Sequence, residues 1–103
     1  MSEGASLGGQ VIGPPLPQVI ETDVKGEVSL YDPKTERVLV LNGPATDVWL
    51  LCDGDQTLDR IVELLAIAYR REQSLLRTEV ETTVRQFIEA GFVPDPSSRP
   101  AEE

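Results

Sequence analysis

The chain has no histidine, a single cysteine (Cys52), five aromatic residues and nine bases among 103 residues. Each scarcity excludes something. Without histidine, a serine or cysteine nucleophile lacks its usual base, and no enzyme activity is expected. Cys52 sits beside Leu51 on the apolar side of an expected helix, so it reads as a small buried hydrophobe and not a thiolate. A lone cysteine also permits no intrachain disulfide, which fits a reducing, cytoplasmic compartment. No apolar run approaches the roughly 20 residues that span a bilayer. The N-terminus lacks the basic start and apolar stretch of a secretory signal.

Bases are not only few but scattered. Eighteen acids against nine bases leave a formal net charge of −9. Phosphate backbones are bound by clustered Lys and Arg, so nucleic acid is not an expected partner. The nearest approach to a basic patch, Arg70, Arg71 and Arg77, reads as a solvated helix end. Asp53 and Asp55 flank Gly54, yet no twelve-residue loop with a closing Glu follows, so they read as a turn and not a calcium site. No cofactor-binding glycine loop occurs. Glu79 and Glu81 are explained by helix capping and not by acid/base work.

What is present is concentrated in the middle. Residues 1–17 hold four of the eight glycines and three of the eight prolines. Residues 94–103 add three more prolines. Both ends read as disordered tails around a folded unit at 18–93. A domain of that size buries only about 60% of its unfolded surface, so one modest core is expected and a deep enclosed active site is not.

Within 18–93 the periodicity changes once. Gln18 to Val24 reads as a first strand and Lys25-Gly26 as a turn. Glu27 to Tyr31 alternates polar and apolar, the pattern of a half-buried strand. Asp32-Pro33-Lys34-Thr35 is turn chemistry, and Glu36 to Leu41 returns as a third strand. Pro44 suits a first helical turn, and helix one runs to Cys52 with Val48 and Trp49 as core. Thr57 is an N-cap for helix two, whose stripe is Ile61, Leu64, Leu65 and Ala68. Thr78-x-x-Glu81 is a capping box opening helix three, with Val80, Val84, Phe87 and Ile88 on one side. Gly91 sits where a C-cap glycine belongs. Tyr31 and Tyr69 read as half-buried packing residues. The expected fold is α+β: a three-stranded antiparallel sheet followed by three helices.

The third strand is apolar at consecutive positions, Val38 to Leu41. One face covers the helices and the other is spare. An open strand edge next to an amphipathic helix suits an extended peptide that joins as a further strand. The same edge could instead be covered by the chain's own N-terminal segment, or pair two copies as a homodimer. From composition alone these alternatives stay open.

Val40-Leu41-Asn42, Ala45, Val48-Trp49, Leu51-Cys52-Asp53-Gly54, Thr57 and Ile61-Val62 together resemble the PqqD family. That family includes the pyrroloquinoline quinone (PQQ) biosynthesis protein D and the leader-recognition elements of other ribosomal natural-product pathways. The Leu30-Tyr31-Asp32 hairpin and the closing Val84 to Ile88 with Gly91-Phe92-Val93 fit the same pattern. The resemblance implies a winged helix-turn-helix-like fold and a peptide chaperone. Such a protein holds the leader of a precursor peptide and presents it to a modifying enzyme, often a radical SAM protein. Carried onto this chain, the peptide-binding residues are Arg37, Val38, Leu39, Val40 and Leu41 on the strand, with Glu81, Val84, Arg85 and Ile88 on the helix. The alternative is a winged-helix DNA-binding or transcription-regulating protein, which the acidic balance disfavours.

Overall fold

The computed structural model describes residues 7–96; the ends of both expected tails, 1–6 and 97–103, lie outside them. Among the described residues, five strands and three helices follow one another: β1 (Val11–Ile12), β2 (Ile20–Val24), β3 (Glu27–Asp32), β4 (Arg37–Leu41), α1 (Gly43–Leu51), β5 (Gln56–Thr57), α2 (Leu58–Tyr69) and α3 (Gln73–Glu89). β2, β3 and β4 form an antiparallel sheet in sequence order, with β4 at one edge. This is the expected α+β order of three sheet strands before three helices.

The turns follow from their residues. Lys25 and Gly26 both adopt positive φ (57° and 86°), as a two-residue type I′ hairpin demands. Asp32 closes the next loop: its Oδ1 accepts from Lys34 N and its carbonyl from Glu36 N. Asp32 is nevertheless buried, and its second carboxylate oxygen accepts from Gln18 Nε2. It is a hairpin lock, not a reactive acid.

The helices cap as their sequences predict, with one exception. Asn42 Oδ1 accepts from Ala45 N at the start of α1, and Thr57 Oγ1 accepts from Arg60 N at the start of α2. α3, however, begins at Gln73, five residues before Thr78. Thr78 and Glu81 lie inside the helix, so their capping-box pattern is not used. The cause is Leu76: it extends the stripe of Val80, Val84 and Phe87 one turn earlier, and all four are buried. The end of α3 matches expectation. Gly91 (φ 84°) donates to Ile88 O, and Phe92 N to Phe87 O, closing a Schellman motif that folds Phe92 onto the core.

Trp49 and Phe87 meet edge to face at 5.2 Å in the centre of the core. Around them pack Leu30 and Leu41 of the sheet, Ile61, Val62 and Leu65 of α2, and Phe92. On α2 the buried stripe is Leu58, Ile61, Val62, Leu65 and Ala66, while Leu64 is half-buried and Ala68 exposed. The helix is rotated from its expected phase because a second neighbour packs on its N-terminal end.

That neighbour is a correction. Residues 7–17 do not behave as a disordered tail. Leu7 is buried, and Ile12 is 0% exposed. β1 pairs antiparallel with β5, Val11 opposite Thr57 and Ile12 opposite Gln56. Main-chain bonds continue on both sides: Leu58 N to Gln10 O, Asp59 N to Gly8 O, Gly54 N to Ile12 O and Leu16 N to Phe92 O. Gly13 makes this contact feasible, since a Cβ there would collide with the Cys52 carbonyl. The glycines and prolines read as tail composition thus serve a close-fitting strap. At the other end, Pro94 to Pro96 are half-buried against the fold.

Candidate functional site: an open strand edge and the cavity beside it

Hairpin geometry decides which main-chain groups of β4 are spare. In a type I′ hairpin the residues flanking the turn, Val24 and Glu27, are a hydrogen-bonded pair. Alternation then commits Ser29 and Tyr31 to β2, and Val28, Leu30 and Asp32 to β4. The β4 partners of those three are Leu41, Leu39 and Arg37. Val38 and Val40 therefore turn their N–H and C=O groups away from the sheet. The two residues are 62% and 60% exposed, large values for valine. The strap does not cover them: it pairs with β5, and the chain then enters the sheet as β2, on the far side of β3 from β4.

The C-terminal end of α3 reaches this strand. Arg37 Nη1 donates to the Glu89 carbonyl at 3.0 Å, placing a cation at the negative end of the helix. Leu39 and Ala90 are partly buried against the core. Where β4 ends, a cavity of about 370 Å³ opens, with walls from three helices: Asn42, Pro44, Ala45 and Val48; Leu65 and Tyr69; Leu76, Glu79, Val80, Thr83 and Gln86. That volume lies in the range of small-ligand pockets. Tyr69 donates its hydroxyl to Asp47 Oδ2 at the rim. Partial burial, and then this bond to a carboxylate, push the phenol up to about 12.

The expected helix residues fare differently from the strand residues. Val84 is 0% exposed, so its side chain cannot meet a peptide. Leu41 is also sealed in the core, and its main chain bonds inward to Val28. Glu81 and Arg85 pair with each other at 2.9 Å. At about 100° per residue they lie on the face of α3 turned away from the cavity, and so does Ile88, half-buried against the core's other flank. Glu79, Thr83 and Gln86 face the cavity instead. A usable signal was present: Leu76, Val80, Val84 and Phe87 fix the buried arc, and Glu79, Thr83 and Gln86 follow at i, i+4, i+7 along one border of it.

The remaining candidates are structural. Cys52 is fully buried, its Sγ donates to Val48 O, and burial followed by the nearby Asp53 charge pushes the thiol up to about 12. Asp53 Oδ1 accepts from Asp55 N in a local turn. Arg77 bridges to Asp59, and Arg70 is the left-handed cap of α2. Among the described residues, no helix is long and apolar enough to cross a membrane.

The family model for coenzyme PQQ synthesis protein D (PqqD) matches residues 27–93. The chain belongs to the PqqD family. The matched range holds β3, β4 and all three helices, whereas the strap and β2 precede it. Among solved structures, one described as TbiB1 in complex with the TbiA(β) leader peptide shares the PqqD-type fold with a TM-score of 0.70 at 15% identity. The match covers 78% of this chain and 93% of that one. Comparison with curated proteins finds no match.

Proposed function

We propose that this PqqD-family protein is a peptide chaperone that binds the leader of a ribosomally made precursor peptide by strand addition to β4 and presents it to a modifying enzyme. The observation that carries the reading is the outward-facing, exposed main chain of Val38 and Val40. Family membership supports it, as does the fold shared with a protein whose structure holds a leader peptide. The reading assigns no chemistry to the chain itself. Its modifying partner is a radical SAM enzyme, and both work in the cytoplasm.

Magnitudes show what strand addition needs. Val38 and Val40 offer one donor and one acceptor each, hence about four hydrogen bonds. At about 1 kcal/mol net apiece, these fall short of the roughly 8 kcal/mol that a micromolar complex requires. Side chains of the peptide must supply the balance by burial. Alternate residues of an added strand project to the side of Leu39, the face of the sheet that packs on the core.

The test is a titration of the isotopically labelled protein with the leader encoded beside its gene. Binding on the order of 1 µM, with the amides of Val38 and Val40 shifting most, is the expected result. Leader binding that leaves both amides unmoved overturns strand addition at β4.

A further inference from the structure

The cavity at the end of β4 has a chemical bias. Pro44, Ala45, Val48, Leu65, Leu76 and Val80 give its walls an apolar part beside a polar one, and none of its lining residues is basic. The polar groups that remain can all present oxygen acceptors, the amides of Asn42 and Gln86 through their carbonyls. Glu79 is a carboxylate. Thr83 donates its hydroxyl proton to the Glu79 carbonyl, leaving the oxygen lone pairs unspent. Tyr69 likewise spends its proton on Asp47 and presents only its oxygen. A second carboxylate thus stands immediately behind Tyr69.

The positive end of α1 also borders the cavity and favours an anion by about half a charge. It has little to offer one, however. Pro44 has no N–H, Ala45 N is bound by the Asn42 side chain, and Thr46 N by the Asn42 carbonyl. Two full carboxylate charges at Glu79 and Asp47 outweigh that remnant, and the whole chain, at −9, adds to the same sign.

We infer that this cavity is an anchor for a basic residue of the bound peptide, lysine or arginine, its methylene stem against the apolar walls and its cationic head on Glu79, Thr83 and Tyr69. This rests on the strand-addition reading and adds a substrate preference to it: leaders with a cationic side chain in or next to the added strand. A long side chain of this kind suits such a lining, because its stem is apolar and its head donates only.

The probes are N-acetyl-arginine amide, N-acetyl-norleucine amide and N-acetyl-glutamate amide, titrated separately into the labelled full chain. The arginine probe is expected to shift the amides of Glu79, Thr83 and Gln86 and to bind tightest of the three. Glu79→Gln should weaken it about fivefold, the scale of one partly solvated charge-assisted contact. Glu81→Gln, on the opposite face, should not. Equal binding of the norleucine or glutamate probe, an unchanged affinity in Glu79→Gln, or no shift at these amides overturns the inference. Such a failure is distinguishable from failure of strand addition, which is read with the leader at Val38 and Val40.

Discussion

β5 and β4 each have an edge that a further strand can use, and the molecule treats them in opposite ways. The edge of β5 is filled by the chain's own Val11–Ile12, with main-chain bonds on either side and Ile12 buried completely. Among the described residues nothing pairs with the outer edge of β4, although Val38 and Val40 are as apolar as the strap's own residues. Main-chain pairing alone does not explain the difference, since both edges supply it. At β5 the added strand drops one large side chain into a ready space in the core. Past the end of β4 the corresponding space is a cavity with no occupant among the described residues. On the proposed reading, strand addition at β4 requires an anchor side chain, and the strap shows within one molecule what such an anchor does.

The comparison breaks first at the strap. Ile12→Ala removes a fully enclosed side chain and should cost about 3 kcal/mol of stability, measured by urea unfolding. Leader affinity per folded molecule should stay unchanged. If affinity falls with stability, the two edges are coupled and the contrast is lost. Next in size is Val38→Pro. The N–H it removes faces outward, so folding should be nearly unaffected while leader affinity drops about 30-fold by calorimetry. Asp23→Pro on β2, the opposite edge of the same sheet, should leave affinity as it was, because every residue of β2 is exposed and has no body beneath it. Gly91→Ala should cost about 1 kcal/mol in thermal unfolding. A Cβ there meets no other atom within 4 Å, so the whole cost lies in its positive φ.

The smallest effect sharpens the chemistry of the cavity rim. Tyr69 has its phenol raised to about 12 in the folded protein, above its ordinary value of 10.0. A raised value means that the folded state holds the proton longer than the unfolded chain does. Its stabilising contribution is therefore whole below about pH 10 and is lost as pH rises toward 12. Exposure of the ring keeps the contribution small. Tyr69→Phe should flatten that part of a stability-against-pH curve, with no change at neutral pH beyond the loss of one surface hydrogen bond.

Local chemistry made much of the fold readable. The Lys25-Gly26 and Asp32-Pro33 turns, the Asn42-to-Pro44 helix start, the Thr57 cap and Gly91 all act within a few residues of themselves, and each works where its residue type demands. Two readings went astray for one shared reason. The Thr78-x-x-Glu81 pattern is a valid cap in isolation, yet Leu76 gains more by entering the core than the cap would gain by forming. The glycines and prolines of residues 7–17 look like a tail because the partner that orders them, the stretch from Cys52 to Asp59, lies some forty residues away. Of the helix residues expected to meet a peptide, Val84 is fully buried, and Glu81, Arg85 and Ile88 lie on the flank of α3 away from the cavity, a phase that only the packing of α3 on α1 and α2 reveals.

The residues by themselves determined the order of the three sheet strands and three helices, the turns, the apolar run of β4 and the resemblance to the PqqD family, because these depend on short-range sterics, hydrogen bonding and period. Only the tertiary structure decided which strand edge stays open, which flank of α3 borders the cavity, and that the strap closes β5 and not β4. Those outcomes turn on long-range packing, where a single buried side chain such as Ile12 or Leu76 outweighs the local preferences of the residues around it.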